Sequence, residues 1–183
     1  ADVDLPDLTL KKPNKKFKKS VKFGNNVLVG KNVKIGKNTI IGSNTIIEHD
    51  VEIGNNCILG SNVIVKNSII GNSVVLQDDC KIGQKGFGFI PNNNKNVKFP
   101  HIGRVIIEDD VEIATGCTID RGSVDDTVIG RNTYLDNQIQ EQPRANLERS
   151  NQCRVDNQPR CQCPRPTGQC DRCPVLEEPD GPT

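Results

Sequence analysis

The sequence predicts an all-β solenoid, a parallel β-helix in which the chain winds through successive coils. The main observation is a run of eight hexads without a gap over residues 17–64: FKKSVK, FGNNVL, VGKNVK, IGKNTI, IGSNTI, IEHDVE, IGNNCI and LGSNVI. Position one is aliphatic or Phe, position two is most often Gly, and position four is usually Asn. A helix needs apolar residues spaced by about 3.6, which this pattern lacks. Each hexad is therefore interpreted as one short strand and one corner.

Three hexads complete one coil, so residues eighteen apart are expected to lie above one another. Gly and Asn are expected to form the corners because both tolerate positive φ. The alternative is an ordinary β-sandwich with hexad spacing by chance. The coil predicts two inner columns and one outer corner column: Phe23, Ile41 and Leu59; Val29, Ile47 and Val65; and Asn26, Asn44 and Asn62.

Composition narrows the function classes. The net charge of +1 gives no global field that would attract nucleic acid or a membrane. Five Phe, one Tyr and no Trp require an aliphatic core. No apolar run is long enough to span a bilayer. The N-terminal residues lack the basic start and apolar stretch of a signal peptide, so a cytoplasmic location is expected.

The composition changes sharply after residue 140. All fifteen Lys and all nineteen Ile precede residue 141, whereas seven of eleven Pro, six of nine Arg and five of eight Cys follow it. We predict a Lys-rich lead-in at 1–16, a β-helix at 17–140 with loops at 83–106 and 120–128, and an unrelated Arg/Pro/Cys-rich tail at 141–183. Few apolar residues favour disorder for the tail. Zinc held by Cys161, Cys163, Cys170 and Cys173 is one alternative, and disulfides are another.

The hexad period breaks in three places, where a solenoid can carry its chemistry. Residues 65–69 form a five-residue step, and the segment 82–107 is a large insertion. The large insertion contains Phe87, Phe89, Phe99 and the lone His101, which we interpret as a loop or surface residue. From residue types alone, the phenylalanines form either a small loop core, which is favoured, or the wall of an apolar pocket.

The third break, residues 119–129, concentrates Asp120, Arg121, Asp125 and Asp126. The simpler interpretation is that these charges pair with one another at a surface corner. The functional interpretation is that they position a polar substrate. Away from the breaks, Cys57, Cys80 and Cys117 occupy position five of their hexads and are interpreted as small buried residues.

The break motifs, in order, are KGFGF, HIGRVIIEDDVEI, TIDRGSVDDTVIG and LDNQIQ. Together with the hexads they closely resemble the UDP-3-O-acylglucosamine N-acyltransferases of bacterial lipid A biosynthesis, over about residues 24–140. These enzymes belong to the hexapeptide-repeat acyltransferase superfamily. The resemblance implies a left-handed β-helix, although parallel crossovers in general are right-handed.

The resemblance also implies an activity: transfer of a 3-hydroxyacyl chain from acyl carrier protein to the 2-amino group of a UDP-bound, acylated glucosamine. It implies a homotrimer with sites between neighbouring β-helices, no cofactor, no metal in the β-helix, and a histidine base. Among the matching positions, Asp136 and Asn137 lie beside the family's base, and Phe87 and Phe89 match the loop near the acyl-chain cleft. Asp120 and Arg121 match its DRG motif. With the resemblance included, the pocket interpretation of the Phe loop is preferred.

The family's base is missing from this sequence. In the family, Ile-Ala-His-Asn-Val would follow Gln140, but here Pro143 occupies the histidine position. Proline cannot accept the proton of the attacking amine. Family members also carry a uridine-binding domain before the β-helix and a helical region after it. We therefore interpret the chain as a truncated, frameshifted or fused form with impaired or no catalysis.

Two alternatives stay open. The chain could be a non-catalytic β-helix scaffold or binding module with a Cys-rich tail. It could also be another hexapeptide enzyme, such as a carbonic anhydrase with three zinc-binding histidines, but the sequence has only two His. The N-terminal KKPNKKFKKSVK carries seven Lys in twelve residues. Solvated lysines are the simpler interpretation, and a weak site for an anionic partner is the alternative.

Overall fold

A computed structural model of the chain describes residues 10–13, 17, 20–90, 96–141 and 146–147. The described residues are built from twenty short strands and contain no α-helix. Eighteen of these strands form three parallel sheets of six, and successive strands pass from sheet 1 to sheet 2 to sheet 3 and back. The predicted parallel β-helix is therefore confirmed, with six coils.

The strands are short because a corner follows every two to five residues. Sheet 1 contains β1 (Val21–Phe23), β4 (Thr39–Ile41), β7 (Ile58–Leu59), β10 (Val75–Leu76), β15 (Glu112–Ile113) and β18 (Tyr134–Leu135). Sheet 2 contains β2 (Leu28–Val29), β5 (Ile46–Ile47), β8 (Ile64–Val65), β11 (Lys81–Lys85), β16 (Thr118–Arg121) and β19 (Gln140–Glu141). Sheet 3 contains β3 (Lys34–Ile35), β6 (Glu52–Ile53), β9 (Ser68–Ile70), β14 (Val105–Ile107), β17 (Thr127–Ile129) and β20 (Asn146–Leu147). Strands β12 (Phe89–Ile90) and β13 (Val97–Lys98) form a separate antiparallel hairpin.

Both predicted inner columns are confirmed by the strand register. Phe23 is paired with Ile41 and Ile41 with Leu59, whereas Val29 is paired with Ile47 and Ile47 with Val65. Ile41, Ile47, Leu59 and Val65 are at most 1% exposed. Position five of the hexads is buried as well, and Cys57, Cys80 and Cys117 are fully enclosed, as predicted. Burial raises the pKa of the Cys80 thiol to about 11.

Asn and Gly have different roles at the corners, although the same role, a positive φ, was predicted for both. Asn26, Asn44 and Asn62 have φ of 55°, 58° and 59°, and the Asn26 side-chain amide donates to the Asn44 Oδ1 at 3.2 Å. The positive φ predicted for Asn is confirmed. The same prediction for the hexad glycines is wrong, because only Gly83 and Gly116 among the described glycines have positive φ. The hexad glycines serve close approach between coils: a Cβ on Gly42 would lie 2.6 Å from the Ser61 amide nitrogen and closer still to the Gly60 carbonyl.

Because backbone surrounds it, Gly42→Ala is expected to lower the free energy of unfolding by about 3 kcal/mol. The matched control is Gly88→Ala, whose added Cβ would meet Phe99 Cβ at 3.5 Å and His101 Cε1 at 3.6 Å, which are ordinary contacts. We expect that control to stay within about 0.5 kcal/mol of the parent chain. Urea denaturation of the two variants checks this, and equal losses would contradict the close-approach role of Gly42.

All breaks of the hexad period fall at one corner, where the chain passes from sheet 2 to sheet 3. The other two corners keep nearly constant lengths of three or four residues between strands. We call this third corner the break corner and define it by residues 66–67, 86–104 and 122–126 in coils three, four and five. In coil six, β19 pairs with β16 and β20 pairs with β17, so the strand ladder extends past residue 140 to Leu147.

In the part of the chain that the structure describes, no helix is long and apolar enough to cross a membrane.

Candidate active site

Backbone hydrogen bonds join the two insertions of the break corner to each other. The Ile102 amide donates to the Ser123 carbonyl at 3.0 Å, and the Gly103 amide donates to the Gly122 carbonyl at 3.0 Å. The Thr127 amide then donates to the Arg104 carbonyl at 2.8 Å. The end of the large loop and the smaller insertion therefore form one unit that lies over the ends of β11 and β16.

Two glycines make this contact possible. A Cβ on either Gly103 or Gly122 would collide with the carbonyl oxygen of Asp125. The Asp126 carboxylate completes the turn by accepting from the Arg104 amide at 2.7 Å. The glycines in the HIGR and DRG motifs are thus explained by the packing of one loop on the other.

Asp120 and Arg121 lie in the last two positions of β16 and are buried, with 4% and 2% of their surfaces exposed. Arg121 Nε donates to the His101 carbonyl at 2.8 Å, and a terminal nitrogen donates to the Gly83 carbonyl at 3.3 Å. The interpretation of these two residues as a surface ion pair is wrong, because they turn inwards beneath the loops. Asp125 is exposed and Asp126 is half-buried, so the four charges do not form one surface cluster.

Burial raises the pKa of the Asp120 carboxyl above its usual range, and the nearby His101 and Arg121 oppose that shift. The balance of these effects favours the protonated acid relative to an exposed aspartate. Asp120 is therefore a poorly solvated carboxyl group beside a fixed guanidinium.

His101 lies in the loop, as predicted, but it is only 3% exposed, so the surface interpretation is wrong. Its Nδ1 is 3.2 Å from the Phe99 carbonyl, and its ring meets Phe99 edge-on with centroids 6.3 Å apart. Its main chain also carries the carbonyl that accepts from Arg121. A lone histidine in a loop gives no sign of this burial in the sequence, because its contact with Arg121 of β16 comes from a segment twenty residues away.

Gln84 is a further residue beside the break corner, and the hexad pattern does not indicate it. β11 and β16 shift register between Ile82 and Gln84, where Gly83 has φ of 77°. This irregularity places Gln84 opposite Asp120 and leaves the Gln84 side-chain nitrogen buried without a hydrogen-bond partner. The available signal was the extra glycine in IGQKG, which suggests a bulge inside a strand pattern.

The phenylalanines of the large loop do not form a loop core. Phe87 is 88% exposed and Phe89 is 44% exposed, and their rings contact each other edge-on with centroids 5.8 Å apart. Ile102 and Val124, from the two joined insertions, are also exposed. The favoured loop-core interpretation is therefore wrong for Phe87 and Phe89, and the break corner presents apolar groups to its surroundings.

Asp136 and Asn137 lie at a different corner, where the chain passes from β18 in sheet 1 to β19 in sheet 2. Asp136 Oδ1 accepts from the Asn137 backbone amide at 2.8 Å, and Asn137 Oδ1 accepts from the Thr115 amide at 3.2 Å. Both side chains are exposed. The candidate site residues are thus divided between two corners that border sheet 2.

Pro143 and the four cysteines proposed as metal ligands, Cys161, Cys163, Cys170 and Cys173, lie outside the described residues. Within the described part of the chain, no group of three or more His, Cys, Asp or Glu side chains could hold a metal ion.

The coils, the asparagine corners and the glycine contacts define the class of this chain, a hexapeptide-repeat β-helix. In agreement, the bacterial transferase hexapeptide (six repeats) family matches residues 32–67.

Curated relatives give a more particular similarity. A stretch of 73 residues is 53% identical to the UDP-3-O-acylglucosamine N-acyltransferase of Rhizobium etli, covering 40% of this chain and 21% of that protein. A stretch of 78 residues is 46% identical to the enzyme of the same name from Azorhizobium caulinodans, covering 43% of this chain and 22% of that protein. The resemblance drawn from the break motifs is confirmed over this segment. The matched segment spans about a fifth of the length of these relatives.

Among solved structures, the Arabidopsis UDP-N-acetylglucosamine acyltransferase is similar at 20% identity and a TM-score of 0.35. That match covers 67% of this chain and 45% of the Arabidopsis chain.

Proposed function

We propose that the chain is the β-helix of a lipid A N-acyltransferase with impaired or no catalysis. The proposed substrates are a 3-hydroxyacyl thioester of acyl carrier protein and UDP-3-O-acylglucosamine, and no cofactor is needed. The observation that carries the proposal is the 46–53% identity to enzymes of that name over one segment. A homotrimer and a cytoplasmic location belong to the same proposal.

The reaction needs a base at the moment of bond formation. The sugar amine attacks the thioester carbonyl, the new C–N bond forms, the thiolate leaves, and a proton departs from the amine nitrogen. A histidine suits that proton because its pKa lies near working pH. Pro143 at the expected position has an amide nitrogen without basicity, so it cannot take the proton.

Neither histidine of the chain takes over this role in the described geometry. His101 is buried within the break corner, and its Nδ1 contacts the Phe99 carbonyl. His49 lies in coil two, half-exposed, with Nδ1 2.8 Å from an Asp50 carboxylate oxygen. Two coils of about 4.8 Å each separate His49 from the large insertion in coil four. These positions support impaired turnover rather than a substituted base.

The groups that remain support binding. The exposed Phe87 and Phe89 give an apolar surface suited to an acyl chain. Asp136 and Asn137 offer exposed polar groups to sugar hydroxyls at the other edge of sheet 2. Arg121 acts indirectly, because its guanidinium donates to the His101 carbonyl in the loop and to the Gly83 carbonyl in β11, which holds the loop against the strand.

The test compares the purified full chain with the Rhizobium etli relative for binding and for turnover. We expect calorimetry to detect binding of UDP-3-O-acylglucosamine. We expect mass spectrometry to find N-acylated product at a rate lower by about 10²–10⁴. Turnover equal to the relative would refute the loss of catalysis. Absence of both binding and turnover would favour the alternative, a non-catalytic scaffold.

A further inference from the structure

The N-terminal end of the β-helix is strongly basic, although Asp2, Asp4 and Asp7 precede it in the sequence and Glu48, Asp50 and Glu52 follow in the second coil. Residues 10–47 contain ten Lys and no Asp, Glu, Arg or His, which gives this part of the chain a formal charge of +10. The whole chain has a net charge of only +1, so the charge is concentrated at one end. Residues 108–126, in coils four and five, show the opposite balance, with seven acidic residues and one Arg.

The lysines of the first coil lie on sheets 1 and 3 and on the two corners that border sheet 3, so they do not follow a single face. Lys22 points outward from β1 in sheet 1, Lys34 points outward from β3 in sheet 3, and Lys31 and Lys37 lie at two different corners. All four are exposed. Only Lys34 has an ion pair with a described acidic residue, Glu52 of the second coil, at 2.6 Å. Since one coil is nearly perpendicular to the solenoid axis, these charges lie close to a single plane.

The lead-in adds to the same plane. Lys11 pairs with Val29 in an antiparallel bridge, through Lys11 N to Val29 O at 3.1 Å and Val29 N to Lys11 O at 2.8 Å. Lys11 and Lys12 are both exposed. The lead-in therefore carries two more described lysines against the first coil and holds them there through the backbone.

A cavity of about 570 Å³ lies at this end, away from the break corner. It is lined by Lys12, Pro13, Phe23 and residues 24–27. Phe23 also meets Phe17 edge-on with ring centroids 6.4 Å apart, and both rings are partly exposed. Ammonium, amide and apolar groups thus meet in one opening, which suits a headgroup joined to a hydrocarbon chain.

We propose that the N-terminal end of the β-helix, defined by Lys11, Lys12, Lys22, Lys31, Lys34 and Lys37, docks on an anionic phospholipid bilayer. A planar array of charge matches a flat surface, whereas a nucleic acid rod would contact a stripe on one side. Only two aromatic rings lie near this end of the described chain, and they pack on each other rather than standing free to stack on bases. The acidic coils would face away from the membrane, which orients the molecule end-on. This proposal is independent of the proposed function.

The test is vesicle co-sedimentation of the full chain. Vesicles contain either phosphatidylcholine alone or equal parts phosphatidylcholine and phosphatidylglycerol. We expect binding to the anionic vesicles only, and a marked loss of binding when salt is raised. The triple variant Lys22→Gln, Lys31→Gln, Lys37→Gln should lower the partition coefficient by roughly 100-fold, since each lysine near the surface contributes about fivefold.

The matched control is Lys98→Gln, Arg104→Gln, Arg131→Gln, which removes three exposed charges from later coils. This control should bind within about threefold of the parent chain, because charges beyond a Debye length are screened. Circular dichroism and melting curves confirm that both variants are folded. Equal losses in the two triples, or equal binding to neutral vesicles, would overturn the proposal. An oligonucleotide that displaces the vesicles at equal phosphate concentration would also overturn it, in favour of a nucleic acid partner.

Discussion

Replacing residues 141–145 with Ile-Ala-His-Asn-Val is expected to raise the rate of N-acyl transfer by about 10²–10⁴-fold over the parent chain. The replacement places an imidazole where the family carries its base. β19 ends at Glu141, in register with Ile119, and the same strand β16 continues to Asp120 and Arg121. The new histidine would therefore follow β19, and the neighbouring strand β16 ends at the break corner. Product formation is measured by mass spectrometry with saturating substrates.

The matched control is the same replacement with Gln in place of His, Ile-Ala-Gln-Asn-Val. It restores the apolar and amide groups of the segment but supplies no group that accepts a proton at neutral pH. If both replacements raise the rate equally, the effect comes from the repaired strand and not from the base. If the parent chain already matches the His replacement, the missing base is not the reason for impaired catalysis.

The second large effect is on stability: Arg121→Met is expected to lower the free energy of unfolding by about 3–5 kcal/mol. Methionine fills part of the same volume but leaves the buried carbonyls of His101 and Gly83 without their donor. It also removes the cation beside the buried Asp120 carboxyl. Arg131→Met is the control, because Arg131 is 59% exposed and its ion pair with Asp109 is at the surface. We expect that control to cost at most about 1 kcal/mol.

Denaturant unfolding measures both arginine variants. If Arg121→Met does not fold, Arg121→Lys provides the second arm, since lysine keeps the charge without the planar fork of donors. Limited proteolysis between residues 86 and 104 then reports on the loop itself, and we expect faster cleavage there than in the Arg131 control. Equal stability and equal cleavage in the variants and their control would show that Arg121 does not hold the loop.

The repeating part of the molecule could be predicted from the sequence because its physics is local and periodic. The column of Phe23, Ile41 and Leu59 follows from six-residue spacing alone, and its register is the predicted one. The positive φ of Asn44 also follows from residue type. The role of Gly42 could not be predicted in this way. Residue type alone does not distinguish a glycine needed for close packing from one needed for positive φ.

The break corner was harder because its interactions join distant segments through backbone atoms. Arg121 donates hydrogen bonds to the carbonyls of residues 83 and 101, and any residue type can supply a carbonyl. His101 is 3% exposed, packs on Phe99 of its own loop and accepts a hydrogen bond from Arg121 of β16 through its carbonyl, and only the second contact joins distant segments. The unpartnered amide of Gln84 depends on a shift in strand register, which hexad counting does not reveal.

The two regular corners and the single variable one have a consequence for how such a chain can change over evolution. The excursion of nineteen residues in coil four leaves and re-enters the same edge as the five-residue excursion in coil five. Lengthening a flexible connection from five to nineteen residues costs only about 1 kcal/mol of chain entropy. Recognition elements can therefore be acquired, enlarged or discarded at that edge while the aliphatic stack keeps its spacing. In this solenoid, binding specificity can therefore change at one edge without a change in the residues that stabilise the fold.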